Sequence, residues 1–402
     1  KKPAPAKLSR KLANSAPPDA SQAKAGDLAN SPSGRRKLAK QLLAWFAQSA
    51  RDLPWRKNKD LYRIWVSEIM LQQTQVVTVI DYFQRFLKRF PTVADLASAP
   101  ESEVLKMWEG LGYSRRARQL HAAAKKIVSD HGGKFPRDFS SVRALPGIGR
   151  YTAGAILSIG LGQRLPILEA NTIRVFSRLT AYQGATETTA GQKYLWQVAE
   201  ELLPAEEVGA FNQALMELGS EICKPRSPLC ETCPVSNLCP TFQHGWQEII
   251  PAPKKKTAYE DLHQAAIVIW HQGKVLVRKC GVKERFAGLW DFPRFDQLTE
   301  PAEKNEQADH MVAQVKLQTG QTLTNVLPIF TLRHGVTRFR ITLDVFESQL
   351  PAKGKSKAAS SIAVYSEEEL GQAEMLWIAP ADLSHIPLSV TGRHIAAKII
   401  AG

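Results

Sequence analysis

The sequence predicts a multidomain chain, α first and then α+β, on three observations. Apolar residues recur at helical spacing from Leu38 to about Cys239, and after a Pro- and Lys-rich stretch the period changes to two. Four of the five cysteines fall in one window at the junction. A chain of 402 residues, at about 150 per domain, makes two or three domains. Its 44% hydrophobic and 23% charged residues are those of a globular protein. No apolar run approaches the ~20 residues of a membrane-spanning helix, so a soluble chain is expected. Lys and Arg number 53 against 38 Asp and Glu, a net charge of +15 that favours a polyanionic partner, nucleic acid before membrane. Ten of those cations, against two Asp, lie in residues 1–40.

Residues 1–36 are rich in Ala, Pro, Ser and Lys and read as a disordered basic tail. They lack the apolar core of a secretory signal. In residues 37–222, Ile69, Val76, Ile80, Phe83 and Leu87 form one buried helix face, and Leu120, Ala124, Ile127 and Val128 another. Pro91, Pro100, Gly132-Gly133, Pro146, Pro166 and Pro204 cut this all-α domain into short helices. Residues 241–260 contain EIIPAPKKKTA and read as a linker whose Lys run is ordinarily just solvated. In residues 261–402, Ala265–Trp270 and Lys274–Arg278 flank His271-Gln272-Gly273 as a hairpin, and Phe339–Phe346 alternates, so this domain mixes α and β.

Cys223, Cys230, Cys233 and Cys239 have the spacing C-x6-C-x2-C-x5-C and define a loop at 223–240. Four thiolates so close suit a structural zinc or a 4Fe–4S cluster. Zinc sites usually pair two short knuckles and only one spacing here is short, which tilts the reading to iron–sulfur. A disulfide framework is not expected, because Cys280 is the only other cysteine. Upstream, LPGIGRY (145–151) precedes an apolar helix. Gly147 and Gly149 there let backbone N–H groups at a helix start approach a phosphate, the sequence form of a helix-hairpin-helix DNA-binding element.

Together the segments LPWR (53–56), VSEIMLQQTQV (66–76), WEGLGYSRRAR (108–118), LPGIGRYTAGAIL (145–157), NTIRVFSRL (171–179), FNQALMELG (211–219) and the four cysteines resemble the MutY-type adenine DNA glycosylases of the helix-hairpin-helix superfamily. The resemblance covers almost all of residues 45–240, and the C-terminal domain resembles that family's Nudix-like module through FAGLWDFPRF (286–295). It implies excision of adenine opposite 8-oxoguanine or guanine in double-stranded DNA, with a 4Fe–4S cluster that is structural and DNA-positioning. Glu68 becomes the acid that protonates adenine N7, with a pKa raised by its apolar helix. Glu169 becomes the carboxylate that stabilises or captures the oxocarbenium-like sugar. Tyr151 supports that carboxylate and the departing base. It stands where a related branch has a Schiff-base lysine, so a monofunctional enzyme is expected. Gln73 and Tyr113 are wedges for base flipping. Trp55, Arg56 and Gln213 line the adenine pocket, and Thr74 and Asn171 join the DNA-binding set. The expected protein is a monomer of the bacterial cytoplasm, associated with the nucleoid and without membrane contact.

Two departures stand out. The family has Asp-Gly-Asn where this chain has Glu169-Ala170-Asn171, so the second carboxylate is one methylene longer. A displacement of about 1 Å can cost on the order of 100-fold in rate. Compensation by the backbone is the favoured reading, and a lesion-binding homologue with weak turnover is its rival. In the C-terminal domain the acidic box of Nudix hydrolases is missing, so no pyrophosphatase site is expected. Aligning on His334 places Val336-Thr337-Arg338 where the family reads 8-oxoguanine with Phe-Ser-His. Arg338 is longer and permanently charged, which makes an altered opposite-base preference the third reading.

Overall fold

The computed structural model describes Leu28 and residues 31–253, 258–297, 304–323, 325–350 and 374–401. Most of the expected tail and the Lys run of the expected linker lie outside the described residues. Two compact units result: one of residues 1–84 and 126–255, the other of residues 85–125 and 256–402.

The first unit is helical. Its helix Pro32–Ser49 starts inside the expected tail, because Ser31 caps it by accepting from the Gly34 amide (3.2 Å) and Pro32 fits the first turn. Leu38 and Leu42 on that helix are buried against Val175, Phe176, Leu195, Phe211, Leu215 and Leu218, which is the core of the unit. The acid helix, Leu61–Leu71, is capped by Asp60, whose carboxylate accepts from Tyr62 and Arg63. The hairpin helix, Arg150–Leu161, starts at Gly149 and packs on both the acid helix and the helix Val208–Glu221. Two glycines of Val208–Glu221 allow close packing, Gly209 on the hairpin helix and Gly219 on the helix Ala170–Leu179. A Cβ at Gly209 would stand 2.6 Å from the Ser158 carbonyl oxygen, and one at Gly219 would stand 2.6 Å from Asn171 Cβ. Between them Asn212, fully buried, donates to Ser158 Oγ and the Leu165 carbonyl, both at 2.9 Å.

The second unit combines the helices Val93–Ser98 and Glu101–Trp108 with a sheet that has seven strands among the described residues. The strands are β1 Glu260–His271, β2 Lys274–Lys279, β3 Trp290–Asp291, β4 Arg294–Asp296, β5 Leu327–Val336, β6 Phe339–Gln349 and β7 Met375–Ile378. Their order is β3-β2-β1-β6-β5, with β4 pairing β1 and β7 pairing β2. β1 runs parallel to β6 from Glu260↔Phe339 to Trp270↔Gln349. The expected first hairpin forms, with a turn of two residues rather than three: His271 pairs Lys274, and Gln272 and Gly273 both have positive φ (50° and 76°), which matches the twist of the flanking strands. The run Ala265–Ile269 is fully buried because its two faces serve two cores: Ala266 and Val268 pack with Leu343 and Val345, and Ala265, Ile267 and Ile269 pack with Phe295 and Val315. The alternation of β6 buries Ile341, Leu343 and Val345.

Candidate active site and iron–sulfur loop

A cavity of about 180 Å³ opens in the first unit, and Trp55, Arg56, Glu68, Thr74, Tyr151, Glu169, Asn171 and Gln213 all line it. Sequence separations of up to 158 residues are closed by the acid helix, the hairpin helix, the N-terminus of the helix Ala170–Leu179 and the helix Val208–Glu221. Glu68 is 5% exposed. Burial raises its carboxyl to about 7, against the opposing pull of a hydrogen bond from Tyr151, while nearby Glu169 adds a further upward push. The Tyr151 hydroxyl lies 2.6 Å from Glu68 Oε2 and 3.4 Å from Met216 Sδ. The tyrosine therefore bonds the acid, not the second carboxylate, because the hairpin helix packs on the helix that carries Glu68.

Glu169 is the N-cap of Ala170–Leu179. Its Oε2 accepts from the Asn171 amide (2.8 Å) and its Oε1 from the Thr172 amide (2.9 Å), while the Thr172 hydroxyl accepts from the Glu169 amide. Glutamate is an unusual cap. Here its extra methylene is absorbed by an extended backbone (φ −141°, ψ −178°), so both carboxylate oxygens meet the positive end of the helix. Burial still raises its pKa, with the two amides and Arg174 opposing.

The charged wall of the cavity joins the expected Arg56 to two residues that no motif marks, Arg51 and Glu217. Glu217, 1% exposed, accepts from Arg51 Nε (2.8 Å) and Arg51 Nη2 (2.8 Å) and from Arg56 Nη2 (3.0 Å). Burial alone would raise its carboxyl, but these bonds hold it at about 2. Arg51 and Glu217 are 166 residues apart, and no local pattern announces the pair. Trp55 is fixed edge-on against Phe83, with centroids 5.5 Å apart.

The remaining expected residues lie elsewhere. Gln73 is exposed with φ 57°, and Gly147 has φ 77°, which favours glycine. Gly149 has an ordinary φ and a Cβ there would meet nothing within 4 Å, so packing does not explain that glycine. In the second unit Tyr113, His334 and Thr337 line a separate cavity of about 360 Å³. Tyr113 (φ 48°) and Thr337 (φ 54°) are left-handed, a strained conformation for such side chains. Burial lowers the pKa of His334, helped by Arg294 and Arg285. Arg338 is exposed, pairs with Glu260 at 3.0 Å and lies over the Phe339 ring.

Cys223, Cys230, Cys233 and Cys239 form no disulfide, and three of them pack against the core of the first unit. Among the described residues no three His, Cys, Asp or Glu side chains converge as ligands of a single metal ion. Burial pushes the Cys233 thiol up to about 12 and that of Cys239 to about 11, so ligand thiolates here need the positive charge of irons beside them. Two arginines of Ala170–Leu179 pin the loop. Arg174 donates to the Cys223 carbonyl (2.6 Å) and to Asn171 Oδ1 (2.9 Å). Arg178 donates to Cys223 Sγ (3.3 Å), the Lys224 carbonyl (2.8 Å) and the Ile250 carbonyl (2.9 Å). Arginines four apart on one buried helix face were the available signal for them.

A family model for HhH-GPD superfamily base excision DNA repair proteins matches residues 66–201, one for the NUDIX domain matches residues 264–398, and one for the iron-sulfur binding domain of endonuclease III matches residues 223–239. The fold and site are thus those of a base-excision repair protein with a 4Fe–4S loop and a Nudix-like module. Proteins named adenine DNA glycosylase are similar to this chain: 45% identical in Rattus norvegicus (52% of this chain, 42% of the relative), 43% in Homo sapiens (56% and 43%), and 40% in Buchnera aphidicola subsp. Schizaphis graminum (63% and 74%). The chain belongs to the adenine DNA glycosylase family. It spans less than half the length of the rat and human relatives it matches.

Proposed function

We propose that this chain excises adenine from double-stranded DNA, where adenine stands opposite 8-oxoguanine or guanine. The observation that carries the reading is the buried Glu68, whose carboxyl near pH 7 is partly protonated at neutral pH, within a base-sized cavity that also holds Glu169. A flipped adenine takes a proton from Glu68 at N7. The C1′–N9 bond then breaks with its electrons going to the neutral leaving base, and the cationic sugar forms beside the Glu169 carboxylate. Tyr151 holds Glu68 in place, and its phenol offers no amine for a Schiff base, so the enzyme is monofunctional. Water completes the hydrolysis at C1′.

Trp55, Arg56 and Gln213 receive the base, Gln73, Thr74 and Tyr113 open the duplex, and Gly147 and Gly149 present amides to its backbone. His334, Thr337 and Arg338 face the opposite base. The cluster, when bound, supplies structure to the loop. Residues 37–222 carry the chemistry and 261–402 the reading of the opposite base, in a monomer acting on the nucleoid in the cytoplasm. The double capping of Glu169 favours a working catalyst over a binding-only homologue. Single-turnover assays on duplexes with adenine opposite 8-oxoguanine, guanine or thymine test this. Strand scission only after alkali, fastest opposite 8-oxoguanine, is expected, and no base release from any duplex overturns it.

A further inference from the structure

The helix Glu101–Trp108 ends at Glu109, and the turn that follows is unusual. Gly110 (φ 95°), Gly112 (φ 75°) and Tyr113 (φ 48°) are all left-handed, and Tyr113 is 51% exposed at its tip. Side chains hold this turn from within. Arg116 Nη2 donates to the Leu111 and Gly112 carbonyls, both at 3.1 Å, and its guanidinium lies over the Trp108 ring (5.3 Å) and the Tyr113 ring (5.9 Å). Trp108 Nε1 also donates to the Gly112 carbonyl at 3.3 Å.

The turn is held equally from the last helix of the chain, Val390–Ala401. Arg393 donates to both carboxylate oxygens of Glu109, one through Nη2 at 3.0 Å. Its other bonds, Nη1 to the Leu383 carbonyl (2.7 Å) and Nη2 to the Ile386 carbonyl (2.8 Å), fix the guanidinium to the C-terminal domain. Lys106 adds a second link, Nζ to Glu109 Oε2 at 2.8 Å and to the Ile386 carbonyl at 3.5 Å. The pair is largely shielded, with side-chain exposures of 27% for Arg393 and 12% for Glu109. The cavity of about 360 Å³ is walled on one side by Trp108, Gly112 and Tyr113 and on the other by His334, Gly335 and Thr337 of the β5–β6 hairpin. The turn that carries the exposed Tyr113 and the tip of the β5–β6 hairpin therefore border one cavity within the second unit.

We propose that Arg393, acting through Glu109, is a positioning residue by which the C-terminal domain sets the Tyr113 turn and so couples reading of the opposite base to opening of the duplex. This rests on the adenine-excision reading for the roles of Tyr113 and the hairpin, though the bridge itself is independent of it. A bidentate pair fixed at one end by two backbone carbonyls transmits orientation, where a single flexible contact would not.

The test is a double-mutant cycle on the full chain with its cluster, using Glu109→Gln and Arg393→Met singly and together. Duplexes carry 2-aminopurine opposite 8-oxoguanine or guanine, and its fluorescence reports unstacking without any bond cleavage. Each single change is expected to reduce the preference for 8-oxoguanine by about tenfold, and the double change no further. Arg393→Lys, which keeps the charge, should restore part of the preference. An unchanged preference, or losses that multiply in the double variant, overturns the coupling. If a single variant loses cluster absorbance, the Arg393→Lys result decides in the same two directions. Wild-type chain that unstacks the probe but releases no adenine defeats the proposed chemistry and leaves the cycle readable.

Discussion

Glu68 and Tyr113 lie in cavities built on different plans. Around Glu68 the space is small, about 180 Å³, and the acids are all held: Glu68 by Tyr151, Glu169 by two backbone amides, Glu217 by two arginines. Beside Tyr113 the space is twice that, about 360 Å³, and its fixed groups clamp backbone, leaving an aromatic and a hairpin tip in left-handed conformations. Chemistry on a bond needs charges fixed in advance, because a reorganising carboxylate gives back what it stabilises. Under the proposed function Tyr113 opens a duplex, which needs a shaped edge that does not yield, and a turn strained and then cross-braced is such an edge.

The largest expected effect breaks the first plan alone. If the proposed function holds, Glu68→Gln keeps the shape of the side chain and removes the transferable proton, so adenine release should fall by roughly a thousandfold while duplex binding persists. Single-turnover rates beside a gel-shift titration would show it. Loss of binding together with rate would mean that the two cavities are less separable than their construction suggests. Glu169→Asp comes next. Aspartate is a good cap, but drawing the carboxylate back by about 1 Å moves it from the sugar, and a loss of about 10- to 100-fold is expected. A gain in rate would show instead that the longer side chain is an impairment.

Tyr151→Phe should act on pH dependence more than on the maximum. Burial is the main cause of the raised Glu68 pKa, and the Tyr151 bond opposes it. Under the proposed function Glu68 must be protonated to act, so the rate should decline as pH rises through about 7. Without the phenol the carboxyl pKa rises further and the decline moves to higher pH, with about a tenfold lower plateau from looser positioning of the acid. A pH–rate profile of the variant that moves to lower pH would contradict the assignment of Tyr151 to Glu68.

The same contrast explains what could be read from the chain before its fold. The hairpin glycines and the four cysteines sit in short motifs whose residue types already suggest a chemistry, and Glu68 sits in one whose resemblance to the family implies its role. The Arg51–Glu217 and Glu109–Arg393 pairs join residues 166 and 284 positions apart, and an arginine or glutamate carries no mark of the partner it will meet. Tyr151 was placed by its motif but given the wrong neighbour, since the choice between two carboxylates is made by helix packing. The strain at Gln73, Tyr113 and Thr337 is likewise a property of tertiary structure, invisible in residue type except at glycine.

The smallest expected effect concerns that strain. Thr337 is the first residue of the two-residue β5–β6 turn, and a β-branched side chain at φ 54° is held against its preference. Thr337→Gly removes a backbone penalty of about 1–2 kcal/mol and restores part of it as chain entropy, so a net gain of about 0.5 kcal/mol in the stability of the second unit is expected. Thermal unfolding should register it as a rise of a degree or two. Under the proposed function the same change deletes the one hydroxyl at the tip, so preference for 8-oxoguanine over guanine should fall while the rate opposite guanine holds. Stability up with preference down would mean that the turn keeps its strain for recognition. Stability down would show that Thr337 supports the hairpin, and the strained residues would then divide, with Gln73 and Tyr113 held for the duplex under the proposed function.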